Sequence, residues 1–109
     1  MSHWLGEFEQ LVLFAVLHLE PDAYGVTVRQ AIEDRAGRSV SAGAIYTTLE
    51  RLEARGLVTS KWGEPTRERG GKRKRFYRLT AGGREALGRS WQAVRAMARG
   101  AAQKLGEES

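Results

Sequence analysis

The chain has 109 residues, of which 41% are hydrophobic and 28% are charged, a balance ordinary for one folded domain and too apolar for a disordered chain. It contains no cysteine, which excludes a disulfide framework, a thiolate zinc site and a cysteine nucleophile. The 18 Lys and Arg residues outnumber the 13 Asp and Glu residues, and the resulting net charge of +5 favours a polyanionic partner.

The first segment, residues 5–19, is dense in Leu, Val, Phe and Ala and stops at Glu20 and Pro21. Its apolar run alone is compatible with a buried strand, but its length favours a helix. Because apolar residues occur on every side of this helix, we expect a partner subunit to cover one face. The run is too short to span a membrane and no signal-peptide pattern opens the chain, so we expect a cytoplasmic protein without a membrane partner.

Two further helices are predicted before residue 57. The second helix spans about residues 24–36, and Gly37 suits a left-handed C-terminal cap. Ser41 is a good N-cap for the third helix, and Gly56 closes it. The apolar stripe of the third helix consists of Ile45, Leu49 and Leu52.

This pair of helices matches a helix-turn-helix, in which the second helix enters the major groove of DNA. Small residues at its start let the backbone approach the bases, and polar residues further along can hydrogen-bond to phosphates or base edges. The exposed face of an ordinary packing helix has a similar composition, so this stretch alone leaves both interpretations open. The candidate DNA-contacting residues are Ser41, Gly43, Ala44, Tyr46, Thr47 and Arg51.

A β-hairpin with a long basic tip is predicted next, with strands over residues 57–62 and 73–79. A basic run is often only a solvated loop. Directly after a helix-turn-helix, however, it occupies the position of a wing that can neutralise phosphates beside a minor groove. The candidate residues in this wing are Arg69, Lys72, Arg73 and Lys74.

Thr80 is the predicted N-cap of a last helix that runs to about Lys104. Apolar residues on it are spaced 4, 3, 4, 3, 4, which is a short coiled-coil seam and indicates a dimer interface shared with the first helix. The predicted interface consists of Phe8, Leu11, Val12, Leu87, Trp91, Val94, Ala98, Ala101 and Leu105.

The predicted fold class is therefore mainly α with a small β-hairpin (α+β), a winged helix-turn-helix of order α-α-α-β-β-α that dimerises through its first and last helices. Residues 1–80 would form the DNA-binding domain and residues 81–109 the C-terminal dimerisation helix.

Catalysis and cofactors are not expected, because the residue types for an active site are missing. His3 and His18 lack a metal-binding spacing, and His18 sits among apolar residues as an interface histidine would. The tryptophans fill core and interface in the simplest interpretation. In the alternative, Trp91 with Phe8 contacts a small aromatic effector in an apolar pocket between subunits.

Three motifs in order resemble the PadR family of bacterial regulators: residues 23–25, residues 40–58 with their Tyr46-centred helix, and residues 76–83 after the wing. The resemblance covers about residues 5–90 and implies a homodimer that represses transcription from a pseudo-palindromic operator. It implies that Tyr24 contacts phosphate, that a tryptophan of the last helix can stack on planar drugs, and that the chain is of the short form with one C-terminal helix. In the major groove it places Ser41, Gly43, Tyr46 and Thr47, and at the wing Lys72, Arg73 and Lys74.

The sequence thus predicts a non-enzymatic, sequence-specific regulator that binds double-stranded DNA. Two alternatives remain: an adaptor that uses the winged fold to bind a protein without any operator, and an RNA-binding winged helix that prefers single strands or loops.

Overall fold

The computed structural model describes residues 4–64 and 73–106, which form five helices and one two-stranded hairpin. In chain order these are α1 (Glu7–Leu19), α2 (Gly25–Ala36), α3 (Ala42–Ala54), β1 (Val58–Trp62), β2 (Arg75–Leu79), α4 (Ala81–Ala98) and α5 (Ala101–Leu105). The predicted winged helix-turn-helix and its order α-α-α-β-β-α are confirmed, with α5 as an addition at the end.

The helix α1 is the centre of the core, as its all-round apolar sequence predicts. Gly6 is the N-cap residue of this helix, and the Gly6 N–H donates a hydrogen bond to Oε1 of Glu9 at 2.8 Å. The side chains of Val12, Leu13 and Val16 are completely buried within the protomer, and α1 as a whole packs against the second, third and fourth helices and the second strand. The segment is therefore a helix and not a strand. The face that carries Val12, Leu13 and Val16 is covered by the protomer itself and does not require a partner subunit.

The turn between α2 and α3 is set by local caps that the sequence predicts. Gly37 ends α2 with a φ of 67°, in the left-handed region that glycine adopts without strain. Ser41 caps α3, because its Oγ accepts a hydrogen bond from the Ala44 N–H at 3.1 Å. The predicted stripe of α3 is fully buried at Ile45, Leu49 and Leu52, so the opposite face of α3 is the one that points outward.

The hairpin pairs β1 and β2 antiparallel, from Val58 opposite Leu79 to Trp62 opposite Arg75. β1 begins one residue later than predicted, at the base of the hairpin, and β2 begins two residues later, toward the tip. On the free edge of β2, the Tyr77 N–H donates to the Ala23 carbonyl at 2.8 Å. This bond attaches the hairpin to the chain just before α2.

The start of α4 is held close to the turn between α3 and β1. The Oγ1 of Thr80 accepts the Gly83 N–H at 3.0 Å, and its hydroxyl donates to the Gly56 carbonyl at 2.6 Å. A Cβ atom on Gly83 would overlap the carbonyl oxygen of Leu57, so only glycine fits at this contact.

The prediction of one continuous helix to about Lys104 is wrong. The helix α4 ends at Ala98, and Gly100 adopts a φ of 79° before α5 begins at Ala101. The spacing of apolar residues is the same before and after Gly100. This spacing therefore does not indicate that the backbone leaves the helical conformation at the glycine. Ala101 and Leu105 therefore do not continue the seam that starts on α4.

No helix among residues 4–64 and 73–106 is both long and apolar enough to cross a bilayer. These same residues include no cluster of three or more His, Asp or Glu side chains placed to hold a metal ion.

Candidate nucleic-acid interface

The outward face of α3 carries the side chains that the sequence singles out. Tyr46 is 48% exposed, while Thr48, two positions later, is buried. The backbone around Gly43 is open, since a Cβ atom there would meet no other atom within 4 Å. The predicted residues all belong to this exposed surface: Ser41, Gly43, Ala44, Tyr46, Thr47 and Arg51.

The ring of Tyr46 does not extend freely into solvent but packs on the first residue of α2. A Cβ atom on Gly25 would lie 2.5 Å from Cζ and Oη of Tyr46, so the ring occupies the space where a side chain would stand. Beside this contact, a cleft of about 210 Å³ between α2 and α3 is lined by residues that include Val26, Arg29 and Ala42. The Tyr46 side chain is thus oriented by the start of α2.

Tyr24, immediately before Gly25, joins this surface to the hairpin. The Nζ of Lys74 lies 3.5 Å from the Tyr24 hydroxyl and 4.7 Å from the centre of its ring. The Phe76 ring supports Tyr24 edge-on at a centroid distance of 5.5 Å. Because Tyr24 and Gly25 are neighbours, the structure brings Lys74, Tyr24 and Tyr46 together around the N-terminus of α2.

Of the three remaining wing candidates, the structure describes only Arg73. Arg73 is exposed, its Nε donates to the Gly63 carbonyl at 2.9 Å, and its guanidinium lies 6.0 Å from the Trp62 ring centre. Arg69 and Lys72, in the hairpin tip, lie outside the described residues.

A second group of polar side chains at the hairpin is absent from the sequence-based candidates. Glu53 of α3, Ser60 of β1 and Arg75 of β2 hydrogen-bond to one another. Arg75 is part of the basic run, but nothing in its local sequence identifies a carboxylate 22 residues away as its partner. Only the spacing of Glu53, one residue after the buried Leu52, indicates a position at the edge of the packed face of α3.

The candidate dimer residues fall into two groups. Val12 and Leu87 are buried inside the protomer's own core, so their assignment to a dimer interface is wrong, since such side chains have no surface left for a partner. On α4 every residue from Trp91 onward is exposed, and Met97, which the sequence reading did not single out, is 85% exposed. The candidates with surface available are Phe8, Leu11, Trp91, Val94, Ala98, Ala101 and Leu105.

A cavity of about 510 Å³ lies where α1, α2 and α4 meet. Trp91 and Phe14 form its aromatic wall, with ring centroids 6.1 Å apart and planes nearly perpendicular. His18 and Arg35 add polar atoms to the lining. Phe8 does not line this cavity but packs against the core near the start of α1, and Phe14 is the α1 aromatic residue beside Trp91 within the protomer. The predicted pairing of Trp91 with Phe8 across a subunit contact stays a prediction.

Comparison with known proteins identifies the family of the chain. The model of the PadR-like family of transcriptional regulators matches residues 13–89. The transcriptional regulator Rv3488 of Mycobacterium tuberculosis is 38% identical over 98 residues, which cover 87% of each chain.

Solved structures show the same fold. A PadR family transcription regulator of Clostridium difficile superposes with a TM-score of 0.74 at 26% identity, over 92% of this chain and 99% of that one. The PadR of Bacillus subtilis, solved in complex with operator DNA, superposes with a TM-score of 0.63 at 20% identity, over 79% of this chain and 46% of that one. The chain described here belongs to the PadR-like family of transcriptional regulators.

Proposed function

We propose that this protein binds duplex DNA as a homodimer and represses transcription from a pseudo-palindromic operator. In this proposal α3 enters the major groove and the hairpin is the wing. The observation that carries it is the continuity of Lys74, Tyr24 and Tyr46 around the start of α2. A groove-reading helix and a cationic wing must face the same duplex, and these contacts join the two.

The opening of α3 supports contact with a groove. Glycine inside a helix lowers stability by up to about 1 kcal/mol relative to alanine, and the space around Gly43 would admit a side chain. The fold therefore does not need glycine at this position. Close approach of the α3 backbone to base edges gives a reason for it.

The charges of the wing support contact with phosphates. Arg73 and Lys74 are exposed, and among the described residues neither forms a salt bridge with a carboxylate. Cations of this kind release condensed counterions from DNA when they bind phosphate, which makes the affinity fall as salt rises. The Bacillus subtilis PadR, which has the same fold, was solved with operator DNA and supports the same partner here.

Dimerisation is proposed through α1 and the exposed part of α4. Trp91 is 47% exposed and Val94 is 49% exposed, and both lie on the helix whose later residues have no cover in the protomer. A two-fold axis there would present two copies of α3 to half-sites about 34 Å apart. Residues 1–80 would then serve DNA binding and residues 81–109 dimerisation.

A small aromatic effector is proposed for the cavity walled by Trp91 and Phe14. The cavity combines apolar walls with His18 and Arg35, as ligand pockets usually do. Its position beside the proposed dimer helix lets occupancy act on the spacing of the two DNA-binding surfaces.

The decisive experiment selects duplexes from sheared genomic DNA with the purified protein. One recovered site and a scrambled duplex of the same composition are then titrated at two salt concentrations. We expect the selected site to bind at least about 10³-fold more tightly, with affinity for both duplexes falling as salt rises. Equal affinity for both duplexes would contradict an operator-binding function and favour the protein-interaction adaptor, whereas preference for single-stranded RNA would favour the RNA-binding alternative.

A further inference from the structure

A closed ring of hydrogen bonds joins α3 to both strands of the hairpin. The Nη2 of Arg75 donates to Oε1 of Glu53 at 2.9 Å, and its Nε donates to Oγ of Ser60 at 2.8 Å. The Ser60 hydroxyl donates to Oε2 of Glu53 at 2.6 Å. Each of the three side chains therefore contacts the other two, and we call this set the hairpin clasp.

The clasp lies between the two DNA-facing elements. Glu53 is in the last turn of α3, and Arg75 directly follows Lys74. The Arg75 guanidinium also lies 5.5 Å from the ring centre of Trp62 and 5.9 Å from that of Tyr77. Burial raises the pKa of the Tyr77 phenol further above its ordinary value, so the phenol stays protonated, and Glu53 is the carboxylate that pairs with Arg75.

Arg75 differs in this respect from the cations beside it. Arg73 and Lys74 lie in the same basic segment but form no ion pair among the described residues, whereas Arg75 is neutralised by Glu53 and partly covered. A guanidinium held by two internal hydrogen bonds to one carboxylate and one hydroxyl is a poor phosphate ligand. Its rigid fork suits it instead to fixing one element against another.

We propose that Arg75 is a positioning residue: the hairpin clasp of Glu53, Ser60 and Arg75 fixes the angle of the wing relative to α3, so that both reach one duplex in register. This inference rests on the proposed DNA binding. An antiparallel hairpin held by backbone bonds alone can pivot at its base. The clasp restrains that pivot from α3, while the bond from Tyr77 to Ala23 holds the hairpin to the segment before α2.

The proposal and simple electrostatics predict opposite changes in DNA affinity for Glu53→Ala. Glu53→Ala removes one negative charge from a surface that faces DNA, so charge alone predicts equal or tighter binding. Loss of the clasp predicts weaker binding, roughly three- to tenfold, because the wing must be ordered at the moment of association. Glu50→Ala is the matched control, since it removes an exposed acid from the same helix without touching the clasp.

Serine 60 provides a second test without any change of charge. Ser60→Ala removes the hydroxyl that both partners use and should weaken binding in the same direction as Glu53→Ala, while Ser60→Thr retains the hydroxyl and should restore it. In Glu53→Ala the plot of log affinity against log salt should also become shallower, with a slope smaller in magnitude by about one. A wing that pivots loses phosphate contacts, although the protein has gained positive charge. If the clasp only stabilised the fold and did not position the wing, this slope would be unchanged.

The experiment titrates wild type and these variants with a duplex recovered by the wild type from genomic DNA. Residual dipolar couplings of β1 and β2 relative to α3 are measured on the DNA-free proteins, and circular dichroism verifies folding. The clasp is supported by weaker binding and a changed hairpin orientation in Glu53→Ala and Ser60→Ala only. It is overturned if both variants bind like wild type or more tightly, or if the hairpin orientation is unchanged. Failure of the wild type to discriminate between selected and scrambled duplexes would instead contradict the proposed function, while the dipolar couplings still test the clasp.

Discussion

The ring of Tyr46 rests directly on the backbone of Gly25. A methyl group on Gly25 would stand 2.5 Å from both Cζ and Oη of Tyr46, well inside van der Waals contact. Tyr46 is also 48% exposed, so one side of its ring is supported and the other is available to a partner. The orientation of this side chain on α3 therefore depends on the lack of a side chain on α2.

We expect Gly25→Ala to impair DNA recognition more than folding. The new methyl group displaces the phenol end of Tyr46, which is flexible and half exposed, so the thermal midpoint should move by only a few degrees. Affinity for a selected duplex should fall to about the level of Tyr46→Ala. Thermal melting and a binding titration measure the two effects separately.

The double variant Gly25→Ala with Tyr46→Ala tests whether the ring transmits the effect. If it does, the double variant binds like Tyr46→Ala alone, since the group that the methyl displaces is gone. A further loss of affinity in the double variant would show that Gly25 acts by another route.

The wing and α3 should contribute to binding in different ways. Arg73→Ala combined with Lys74→Ala should weaken binding to selected and scrambled duplexes alike and reduce the salt slope by about two, because phosphate contacts do not depend on sequence. Tyr46→Ala should instead reduce the ratio between the two affinities. Titrations with both duplexes at several salt concentrations separate these outcomes.

A matched control for the wing variant removes two cations at the other end of the chain, Arg99→Ala with Lys104→Ala. Both proteins then carry the same net charge. If the control loses as much affinity as the wing variant, the overall charge and not the hairpin determines DNA binding.

Gly43 should show opposite effects on stability and on binding. Gly43→Ala fills open space on a helix, so the free energy of unfolding should stay constant or rise by up to about 1 kcal/mol. Gly43→Gln should also fold but bind the selected duplex poorly, because its side chain separates the α3 backbone from the bases. Tight binding by Gly43→Gln, measured beside a melting curve, would contradict the placement of this end of α3 in the groove.

Much of the fold follows from local chemistry that a sequence displays. The caps at Gly37, Ser41 and Thr80 each depend on residues within one turn of helix, and the buried stripe of α3 depends on spacing alone. The wing and the exposed face of α3 could be assigned for the same reason.

What the sequence could not provide are contacts between distant residues. Tyr46 meets Gly25 and Arg75 meets Glu53 only after the helices and the hairpin pack, and neither partner carries a local signal for the other. Likewise, Val12 is apolar in the same way as Leu11, and only packing decides that Val12 belongs to the protomer core while Leu11 retains surface.

The exposed part of α4 should be required for dimerisation. Val94→Glu with Ala98→Glu places like charges at the proposed subunit contact, which should cost several kcal/mol and give monomers in sedimentation. Gln92→Glu with Ala96→Glu is the control, since it adds the same two charges on another face of α4. A dimer that withstands the first pair would place the subunit contact on another surface, and monomers from both pairs would indicate an effect of charge alone.

Occupancy of the cavity between α1, α2 and α4 should be visible through Trp91. A planar aromatic probe that enters it stacks beside the Trp91 and Phe14 rings and should quench tryptophan fluorescence in a saturable manner. Because Trp4 and Trp62 also fluoresce, the titration is performed in a background where both are Phe. Phe14→Ala should weaken probe binding, whereas Phe8→Ala should not, since Phe8 does not line the cavity. Equal quenching in the Phe14→Ala variant would show that the probe binds Trp91 only from the solvent side.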